Sequence, residues 1–576
     1  MNKIIWKIGG PAGSGVKSAG KILAKSLFRK GYFTFNYLEY PSLVRGGHNT
    51  AQVEISNRPI SLSSSKVDIL VCLDELSLEI EKDSLNKNGI LVYDSFLDND
   101  IEASKIIEKI KENNNVLSFP ITDLAHQSGS EKSRNTAALG ATLALLNEDG
   151  EELREIVKNN FGEPGLKSVE IGYRFANEII KQSKDFSFQL PKLLSQKKEK
   201  VFITGNEAIA LGAIAGGCQF YCAYPMTPST SILHYLVKTQ RETGMMIHQP
   251  ESEIGGVLAT IGASYAGVRS MIATSGGGFA LMNEGISLSG MTETPLVLVE
   301  VMRSAPATGL PTWHEQGDLQ FILHSGHGDF PRVVLTPGDP EEAYWLTQTA
   351  LNLAEKYQLL VFIVSDKFLA ETNFTIDDFT AQETLPKERG EIIKQVDGKF
   401  LRYQLAEDGV SPRTIPGVKN GEFIANSDEH NEFGFSVEGY DSDRNKQHPK
   451  RMEKVESVAN ELPSPKIYGP KKADLTLVSW GSNKWPIIDA LELFNHQNKK
   501  KKANYLHFSA VYPWPKKFTR AIKKIKNPLL VENNYSAQFG QLIRQETGLE
   551  IKNKLLKYDG RPFYSEEIIK KLEALS

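Results

Sequence analysis

Three short segments between residues 224 and 312 carry side chains that could bind a small molecule or act on it. In the first, Tyr224-Pro225-Met226-Thr227-Pro228, two prolines fix the backbone around a hydroxyl side chain. In the second, Glu253 enters an apolar stretch of small residues, where a buried carboxylate needs a partner. In the third, Arg303 ends an apolar strand, a position from which a guanidinium can hold a carboxylate with two parallel hydrogen bonds.

Each of these segments also has a purely structural interpretation. Ser229 or Thr230 can cap the helix that follows, and Glu251 suits the first turn of a helix. Arg303 could form a structural salt bridge. Capping leaves Thr227 unexplained, so the structural interpretation does not cover the whole set.

Two glycine-rich loops lie near the amino terminus. Residues 10–18 nearly match a phosphate-binding P-loop, but Val16 separates Gly15 from Lys17 and turns the lysine by about 100° around a helix. The loop, which includes Gly13, still predicts backbone N–H groups at a helix start, where a phosphate can bind. A tight turn without a ligand is equally compatible. In the second loop, Arg45 stands before two glycines that permit close approach of a ligand, although a plain turn before the alternating strand at 51–55 fits equally.

Composition excludes several classes of protein. The chain has 576 residues, enough for several domains, and its net charge of −3 excludes a generally basic nucleic-acid binder. No apolar run approaches the roughly 20 residues that span a bilayer. Cys72, Cys218 and Cys222 are the only cysteines, too few for a disulfide framework or a four-cysteine cluster. We therefore expect a cytoplasmic protein without a membrane segment, and no metal site is predicted in this chain.

Strands and helices alternate along most of the chain, which predicts a multidomain α/β protein. The first domain, predicted to contain a mostly parallel sheet, covers residues 1–190 and is followed by a linker at 191–200. A second α/β domain covers 201–380, a polar segment predicted to be irregular covers 381–465, and a third α/β domain covers 466–576.

The motifs, in this order, resemble those of the 2-oxoacid:ferredoxin oxidoreductases. The chain is similar to their α subunit in the form with the γ domain fused in front, and the overall layout resembles the branch that acts on 2-oxoglutarate. On this resemblance, residues 1–190 are a γ-type domain, 201–380 a pyrimidine-binding domain of the thiamine diphosphate fold, and 466–576 a transketolase C-terminal-like domain.

The resemblance implies a set of site residues in the pyrimidine-binding domain. Glu253 would contact the N1′ atom of the thiamine aminopyrimidine and promote loss of the proton at C2. Thr227 would hydrogen-bond the substrate near its oxo group, and Arg303 would hold the substrate carboxylate. Tyr224 and Pro225 would bind the cofactor.

The γ-type domain is implied to bind coenzyme A. Within it, Gly13, Gly15 and Arg45 are the candidate residues. The implied reaction is oxidative decarboxylation of a 2-oxoacid to an acyl-coenzyme A and CO₂, with electrons passed to ferredoxin.

The resemblance also implies a partner. The Gly-Asp-Gly motif that such enzymes use to hold Mg²⁺ and pyrophosphate does not occur in the sequence. A separate β subunit would supply that site and a [4Fe-4S] cluster, in an (αβ)₂ assembly. Pyruvate, a branched-chain 2-oxoacid or an aryl 2-oxoacid remain alternative substrates. A non-catalytic scaffold subunit and a P-loop-like nucleotide-binding protein remain alternative functions.

Overall fold

The computed structural model describes residues 3–43, 45–62, 64–130, 133–182, 186, 188–194, 199–380, 382–437, 441–498 and 500–576. The middle of the predicted linker, residues 195–198, lies outside the described residues. Contacts divide the chain into two compact units. Unit 1 comprises residues 1–203, 372–379 and 564–567, and unit 2 comprises 204–371, 380–563 and 568–576.

Unit 1 is built on one eight-stranded sheet with helices packed against it. Strands and helices are labelled in chain order throughout. Its strands, from one edge to the other, are β6 (Asn115–Phe119), β5 (Leu85–Asp94), β4 (Val67–Cys72), β1 (Lys3–Ala12), β3 (Gly46–Ser56), β2 (Phe33–Glu39), β14 (Asn373–Asp377) and β7 (Lys200–Ile203). Its helices are α1 (Val16–Arg29), α2 (Glu75–Glu81), α3 (Ile101–Lys111), α4 (Ile121–Gln127), α5 (Arg134–Leu145) and α6 (Glu151–Gln182).

The prediction of a mostly parallel sheet is wrong for half of unit 1. Strands β1, β4, β5 and β6 pair in parallel, but β3 pairs antiparallel with β1 and with β2. Strand β14 then pairs antiparallel with both β2 and β7. The difference arises because β2 and β3 form a hairpin-like pair without an intervening helix, so their chain direction reverses.

Unit 2 contains a seven-stranded, largely parallel sheet. Its order is β18 (Ala510–Tyr512), β12 (Arg332–Leu335), β13 (Leu360–Asp366), β11 (Leu296–Met302), β10 (Ser270–Thr274), β8 (Phe220–Cys222) and β9 (Met246–His248). Strand β11 lies at the centre and is buried along its whole length, as its run of aliphatic residues requires in a sheet covered on both faces. The sheet is accompanied by α7 (Gly205–Ala215), α8 (Thr230–Thr243), α9 (Glu253–Tyr265), α10 (Gly276–Leu281), α11 (Asn283–Thr292), α12 (Leu319–Leu323), α13 (Pro340–Tyr357) and α14 (Lys367–Glu371).

A second, five-stranded sheet forms the carboxy-terminal part of unit 2. Its order is β15 (Lys466–Tyr468), β17 (Ala503–Phe508), β16 (Leu475–Trp480), β19 (Pro528–Glu532) and β20 (Asn553–Leu556). The helices of this region are α16 (Lys484–Gln497), α17 (Lys516–Lys524), α18 (Gln538–Thr547) and α19 (Ser565–Leu575). A compact apolar core lies between this sheet and its helices.

The segment 381–465, predicted to be irregular, ends in a helix of its own, α15 (Asp441–Glu461). Its Lys450 and Lys454 are buried, and both ammonium groups donate to the carboxylate of Glu293. Most of the buried residues of α15 are polar or charged, and the aliphatic ones, Val458 and Ala459, come only near its end. Hydrophobic periodicity therefore does not reveal the helix.

A membrane-crossing helix, long and apolar enough for a bilayer, is not found among the described residues.

Candidate active site

Glu253 is a buried carboxylate at the start of α9. Ser252 caps the helix, since its side chain accepts a hydrogen bond from the Gly255 N–H at 3.3 Å. Glu253 itself is 3% exposed, and its Oε1 atom is buried without a hydrogen-bond partner. Burying an unpaired polar atom is costly, so such an atom is uncommon unless another molecule completes it.

A run of three glycines, Gly276–Gly278, lies against Glu253. A Cβ atom added to Gly278 would collide with both Glu253 Oε1 and Thr274 Oγ1. A Cβ added to Gly276 would lie 2.6 Å from Asp318 Oδ2. Gly276 and Gly278 therefore each lie too close to a buried carboxyl group for a larger residue, whereas the space beside Gly277 is open.

Arg303 follows β11 directly and is buried. Its Nη1 donates to the backbone carbonyl of Thr227 at 2.7 Å, while its Nε is buried without a partner. Burial lowers the pKa of the Arg303 guanidinium from its ordinary value, whereas the carboxyl groups of Glu300 and Asp318 act in the opposite direction. Guanidinium pKa values lie so high that Arg303 remains charged.

Two further carboxyl groups accompany Arg303. Glu300, inside β11, is fully buried, and neither of its carboxyl oxygens has a hydrogen-bond partner among the described residues. Asp318 precedes α12, makes no side-chain cap with it, and keeps a buried Oδ2 without a partner. Burial raises the pKa of Glu300 well above its ordinary value, and the charges of Asp318 and Asp366 add to that rise. Burial and the charge of Glu315 raise the pKa of Asp318 to about 6, although Arg303 acts in the opposite direction.

A cavity of about 470 Å³ opens beside these groups. Its polar wall includes Arg303, Asp318 and Glu315, and its apolar wall includes Ala280, Pro306 and Phe321. Residues of the loop before α18 also line it, with Tyr535 among them. The cavity thus combines a cation, two acidic groups and an apolar surface, as small-molecule sites do.

The loop that carries Asp318 is held from the carboxy-terminal part of unit 2. Gln316 accepts a hydrogen bond at Oε1 from Asn483 at 2.9 Å and donates from Nε2 to Asp366 at 3.2 Å. Asn534 donates to the Gln316 carbonyl at 3.1 Å, and Gln538 donates to the Gly317 carbonyl at 2.6 Å. These buried bonds fix the position of the loop, and with it the position of the Asp318 carboxylate.

In unit 1, the glycine-rich loop leads from β1 into α1. Gly13 and Gly15 have φ values of 91° and 81°, a left-handed conformation that favours glycine. Space beside Gly13 is open, whereas a Cβ on Gly15 would meet Asn135. Lys17 lies with its ammonium 5.5 Å from the centre of the Tyr40 ring, and Arg45 is exposed.

The polar groups near this loop are largely paired with one another. Lys7 donates to Glu81 Oε2 at 2.9 Å, and His48 Nε2 lies 3.0 Å from Glu81 Oε1. His48 Nδ1 lies 3.3 Å from the Ser77 hydroxyl, which donates in turn to Asp74. Bonds from His48 and Lys7, together with their charges, outweigh burial and lower the pKa of Glu81 to about 2.

Comparison with known families and proteins assigns both units. Residues 5–181 match the family described as pyruvate ferredoxin/flavodoxin oxidoreductase. Residues 211–448 match the family described as pyruvate flavodoxin/ferredoxin oxidoreductase, thiamine diphosphate-binding. A 2-oxoacid:ferredoxin oxidoreductase subunit alpha from Sulfolobus sp is 31% identical, over 98% of this chain and 96% of its own length. The chain belongs to the 2-oxoacid:ferredoxin oxidoreductase alpha subunits.

Two further relatives carry 2-oxoglutarate in their names. The 2-oxoglutarate synthase subunit KorA of Methanothermobacter thermautotrophicus is 32% identical over 64% of this chain and 97% of its own length. A 2-oxoglutarate:ferredoxin oxidoreductase of Magnetococcus marinus, solved with 2-oxoglutarate, coenzyme A and succinyl-CoA bound, matches with a TM-score of 0.89 and 30% identity. That match covers 100% of this chain and 99% of the solved chain. The resemblance to this oxidoreductase family and the α/β fold class are thereby confirmed.

In this alpha subunit the structure brings some of the predicted site residues together. Arg303 and Thr227 are in direct contact, although through the Thr227 carbonyl and not its hydroxyl group. Glu253 lies against Gly278, whereas the cavity beside Arg303 is lined by the two preceding glycines, Gly276 and Gly277. Tyr224 and Pro225, in the segment before Thr227, are both exposed.

The predicted coenzyme A residues Gly13, Gly15 and Arg45 all lie in unit 1, whereas the residues that line the cavity belong to unit 2. In the described structure Gly13 and Gly15 share one turn before α1, and Arg45 directly precedes β3. Strand β3 pairs with β1 next to that turn, so the three residues belong to one end of the sheet.

Sequence reasoning missed the glycine run and the carboxyl pair. Gly276–Gly278 follows the apolar strand β10 directly, and this pattern of strand and glycines was a usable signal. Glu300 interrupts an otherwise aliphatic strand, which marks a polar group forced into the core. Asp318 carries no comparable signal, because only the fold places it beside Glu300.

Proposed function

We propose that this chain is the fused γ–α subunit of an oxidoreductase that converts a 2-oxoacid and coenzyme A into an acyl-coenzyme A and CO₂. In the proposal, 2-oxoglutarate is the substrate, ferredoxin accepts the electrons, and activity requires a separate β subunit. The domain division at 1–190, 201–380 and 466–576 belongs to the same proposal.

The observation that carries the proposal is the buried Oε1 of Glu253, which has no hydrogen-bond partner and lies beside Gly278. A hydrogen bond between this carboxylate and a ring nitrogen of a bound cofactor would satisfy the buried oxygen. The residues thus fit the aminopyrimidine of thiamine diphosphate. When bound, thiamine diphosphate supplies the electron sink that decarboxylation of a 2-oxoacid requires.

Side chains of this subunit would prepare both the cofactor and the substrate. Glu253 would hold a proton between its Oε1 atom and the ring nitrogen. Arg303, whose Nε has no partner and whose Nη1 is bonded to the Thr227 carbonyl, would bind the substrate carboxylate. The Thr227 hydroxyl is proposed to contact the substrate oxo group, while Tyr224 and Pro225 would cover the cofactor.

Support for 2-oxoglutarate comes from the relatives, two of which carry that substrate in their names. The cavity could also accept other 2-oxoacids, because Arg303 is the one cation among its described lining residues and much of its wall is apolar. Pyruvate, branched-chain and aryl 2-oxoacids have a single carboxylate for Arg303 and an apolar group for the rest of the wall. Direct comparison of substrates therefore decides this part of the proposal.

The β subunit is proposed to bring Mg²⁺, the pyrophosphate site and a [4Fe-4S] cluster, in an (αβ)₂ assembly. Within the described ranges, no group of three or more His, Cys, Asp or Glu side chains is arranged to hold a metal ion. Coenzyme A is proposed to contact Gly13, Gly15 and Arg45. A cytoplasmic location stays a prediction from composition.

The test is reconstitution of this chain with its β subunit under anaerobic conditions. Reduction of a viologen dye is measured with 2-oxoglutarate, pyruvate, 2-oxoisovalerate and indolepyruvate, each with and without coenzyme A. We expect coenzyme A-dependent reduction with 2-oxoglutarate and none by either subunit alone. Activity with another acid only would correct the substrate. A complex that contains thiamine diphosphate and iron but oxidises no acid would support a scaffold role.

A further inference from the structure

Four large apolar side chains of the segment before α15 stand in solvent. They are Leu405, Ile424, Phe433 and Phe435, each between 37% and 56% exposed. None of them is among the described residues that line the cavity beside Arg303. Single exposed apolar residues are common on proteins, but several at one place mark a surface that binds another molecule.

Contacts between separate stretches of the chain bring these four residues together. The centres of the two phenylalanine rings lie 6.1 Å apart. The Leu405 N–H donates to Oε1 of Glu432, the residue before the first of these rings, at 3.0 Å. A Cβ atom added to Gly434, between the two rings in the chain, would lie 2.4 Å from the Ile424 carbonyl oxygen. The four residues therefore occupy neighbouring positions, and we call them the apolar patch.

The backbone next to the apolar patch is fixed by buried contacts. Tyr403 is fully buried, its hydroxyl donates to the Thr292 carbonyl at 3.3 Å, and its own carbonyl accepts from Gln447 at 2.8 Å. The Glu429 carboxylate accepts from the two Nη atoms of Arg451 at 2.9 and 2.8 Å. Helices α11 and α15 thus hold the patch in place. A surface that is fixed before binding loses little conformational freedom when a partner covers it.

The exposed charges of the same segment are mostly negative. Between residues 400 and 437 the chain has six acidic and three basic residues. Two of the basic residues are buried, which leaves Lys419 as the exposed cation of this stretch. Glu407 and Glu422 are exposed, and each lies two positions from a residue of the apolar patch. The patch therefore has an acidic surround.

This charge pattern restricts the partner. In a symmetric contact between two copies of this chain, the acidic residues around one patch would face those around the other, and like charges weaken such a contact. A surface with lysine or arginine around an apolar centre complements the patch instead. Four large apolar side chains also suit a permanent interface better than a brief redox encounter, because permanent interfaces are the more apolar class.

We propose that the apolar patch docks on the β subunit, on a surface whose apolar residues are flanked by lysine or arginine. The β subunit is the permanent partner that the proposed function requires, so the inference rests on that function. It adds the part of this chain that the partner covers.

The first test is the affinity of the full chain for the purified β subunit, measured by biolayer interferometry under anaerobic conditions. Phe435→Ser removes the more exposed ring of the patch, and we expect Kd to rise about 30-fold, as for a central apolar contact of an interface. Phe96→Ser, the same change at an exposed phenylalanine of unit 1, is the matched control and should stay within about twofold. An equal rise in both variants would overturn the inference.

Two further measurements separate lost docking from lost folding. Because the Phe435 side chain is exposed, the unfolding temperature of Phe435→Ser should stay within about 2 °C of the wild type. Ile424→Gln changes the patch in another stretch of the chain and should raise Kd about tenfold by itself. If both variants fold and keep Kd within about twofold of the wild type, the inference is wrong.

Opposite changes of charge test the acidic surround. Glu422→Lys should raise Kd about fivefold, mainly through a slower association rate, and the wild-type affinity should fall as salt screens the exposed charges. Lys419→Glu, the reverse change in the same stretch, should lower Kd or leave it unchanged. Tighter binding by Glu422→Lys would mean that the partner's surface is acidic and would contradict the inference.

Photo-crosslinking identifies the occupant directly. The photoreactive amino acid p-benzoylphenylalanine in place of Phe435 should form a product with the β subunit in the purified complex. A product with a second copy of this chain would show that two copies cover the patch. A product that forms only when ferredoxin is added would assign the patch to the electron acceptor. Either of these two results would overturn the inference.

Turnover separates the failure of this inference from the failure of the proposed function. With the β subunit in excess, Phe435→Ser should reach the kcat of the wild-type complex, because the patch lies outside the described cavity lining. A kcat that stays about tenfold low at saturating β subunit would give the patch a role other than docking and overturn the inference alone. A wild-type chain that forms no complex with the β subunit would overturn both.

Discussion

The two candidate sites of this chain differ in how their buried acidic groups are paired. Around the glycine-rich loop of unit 1, Glu81 is bonded to both Lys7 and His48, and Asp74 accepts from Ser77. Around the cavity of unit 2, Glu253 and Asp318 each keep a buried oxygen without a partner. The acidic groups of the first region are paired within the chain, although Asn135 Oδ1 beside Gly15 is also buried without a partner. Those of the second region leave buried oxygens that another molecule could bind.

Paired and unpaired buried groups contribute differently to the free energy of folding. A buried polar group left without a partner costs about 1–3 kcal/mol, so several at one place are retained only where a ligand or a shared proton completes them. Paired groups such as Glu81 instead stabilise the fold. Substitutions in the region of unit 2 should therefore reduce turnover, whereas substitutions in the region of unit 1 should reduce the free energy of unfolding.

Replacement of Glu253 should have the largest effect. Glu253→Gln removes the carboxylate that would exchange a proton with the cofactor, and such groups contribute roughly 10²–10⁴-fold to rate. We expect viologen reduction by the complex to fall by about 10³-fold. Glu251→Gln, an exposed acid two positions earlier, is the matched control and should stay within about twofold. Turnover within about threefold of wild type in Glu253→Gln would remove Glu253 from the reaction.

Arg303→Gln should have the next largest effect. Removal of a buried, hydrogen-bonded partner of a charge costs about 2–5 kcal/mol, so KM for the 2-oxoacid should rise by roughly 10²-fold. Arg303→Lys keeps the charge without the paired N–H geometry and should recover part of this loss. Steady-state kinetics measures kcat and KM separately. A loss confined to kcat, with KM unchanged, would contradict the assignment of Arg303 to carboxylate binding.

The sequence predicts these two residues because each breaks a local pattern. Glu253 is an acid in the first turn of an apolar helix, and the structure confirms that it is buried, with 3% of it exposed. Arg303 is predicted from its position at the end of an apolar strand, and β11 ends one residue before it. Patterns of this kind are local, so one sequence is enough to detect them.

What could not be predicted depends on contacts between distant segments. Asp318 and Gly276 are more than 40 positions apart in the chain, and only the fold brings the Asp318 carboxylate against the glycine. The contact of Arg303 with the Thr227 carbonyl could not be predicted either, since every residue has a backbone carbonyl and the residue type gives no sign of this contact. Helix α15 was not predicted because Lys450 and Lys454 occupy buried positions of it, whereas lysines normally mark a solvated face.

In unit 1, Glu81→Gln should lower stability and leave turnover unchanged. The pKa of Glu81 is lowered to about 2, so its contribution is complete above about pH 4.5 and is lost as the pH falls toward 2. Because glutamine keeps one hydrogen bond, we expect a loss of about 2 kcal/mol at neutral pH. Calorimetric unfolding at pH 7 and near pH 3.5 measures it, and the difference from wild type should shrink at the lower pH. An equal difference at both pH values would mean that Glu81 acts through packing and not through charge.

Arg45→Ala should have the smallest effect of the four substitutions, and it gives the most direct test of the contrast. Arg45 is exposed, so its charge is screened by solvent and a phosphate contact there is worth about 1 kcal/mol. We expect KM for coenzyme A to rise by about three- to tenfold, with KM for the 2-oxoacid and the unfolding temperature unchanged. Lys25→Ala, which removes an exposed cation on α1, is the control. A rise of about 100-fold in KM for coenzyme A would show that unit 1 also depends on a single group to bind its ligand, and the functional contrast between the two regions would no longer hold.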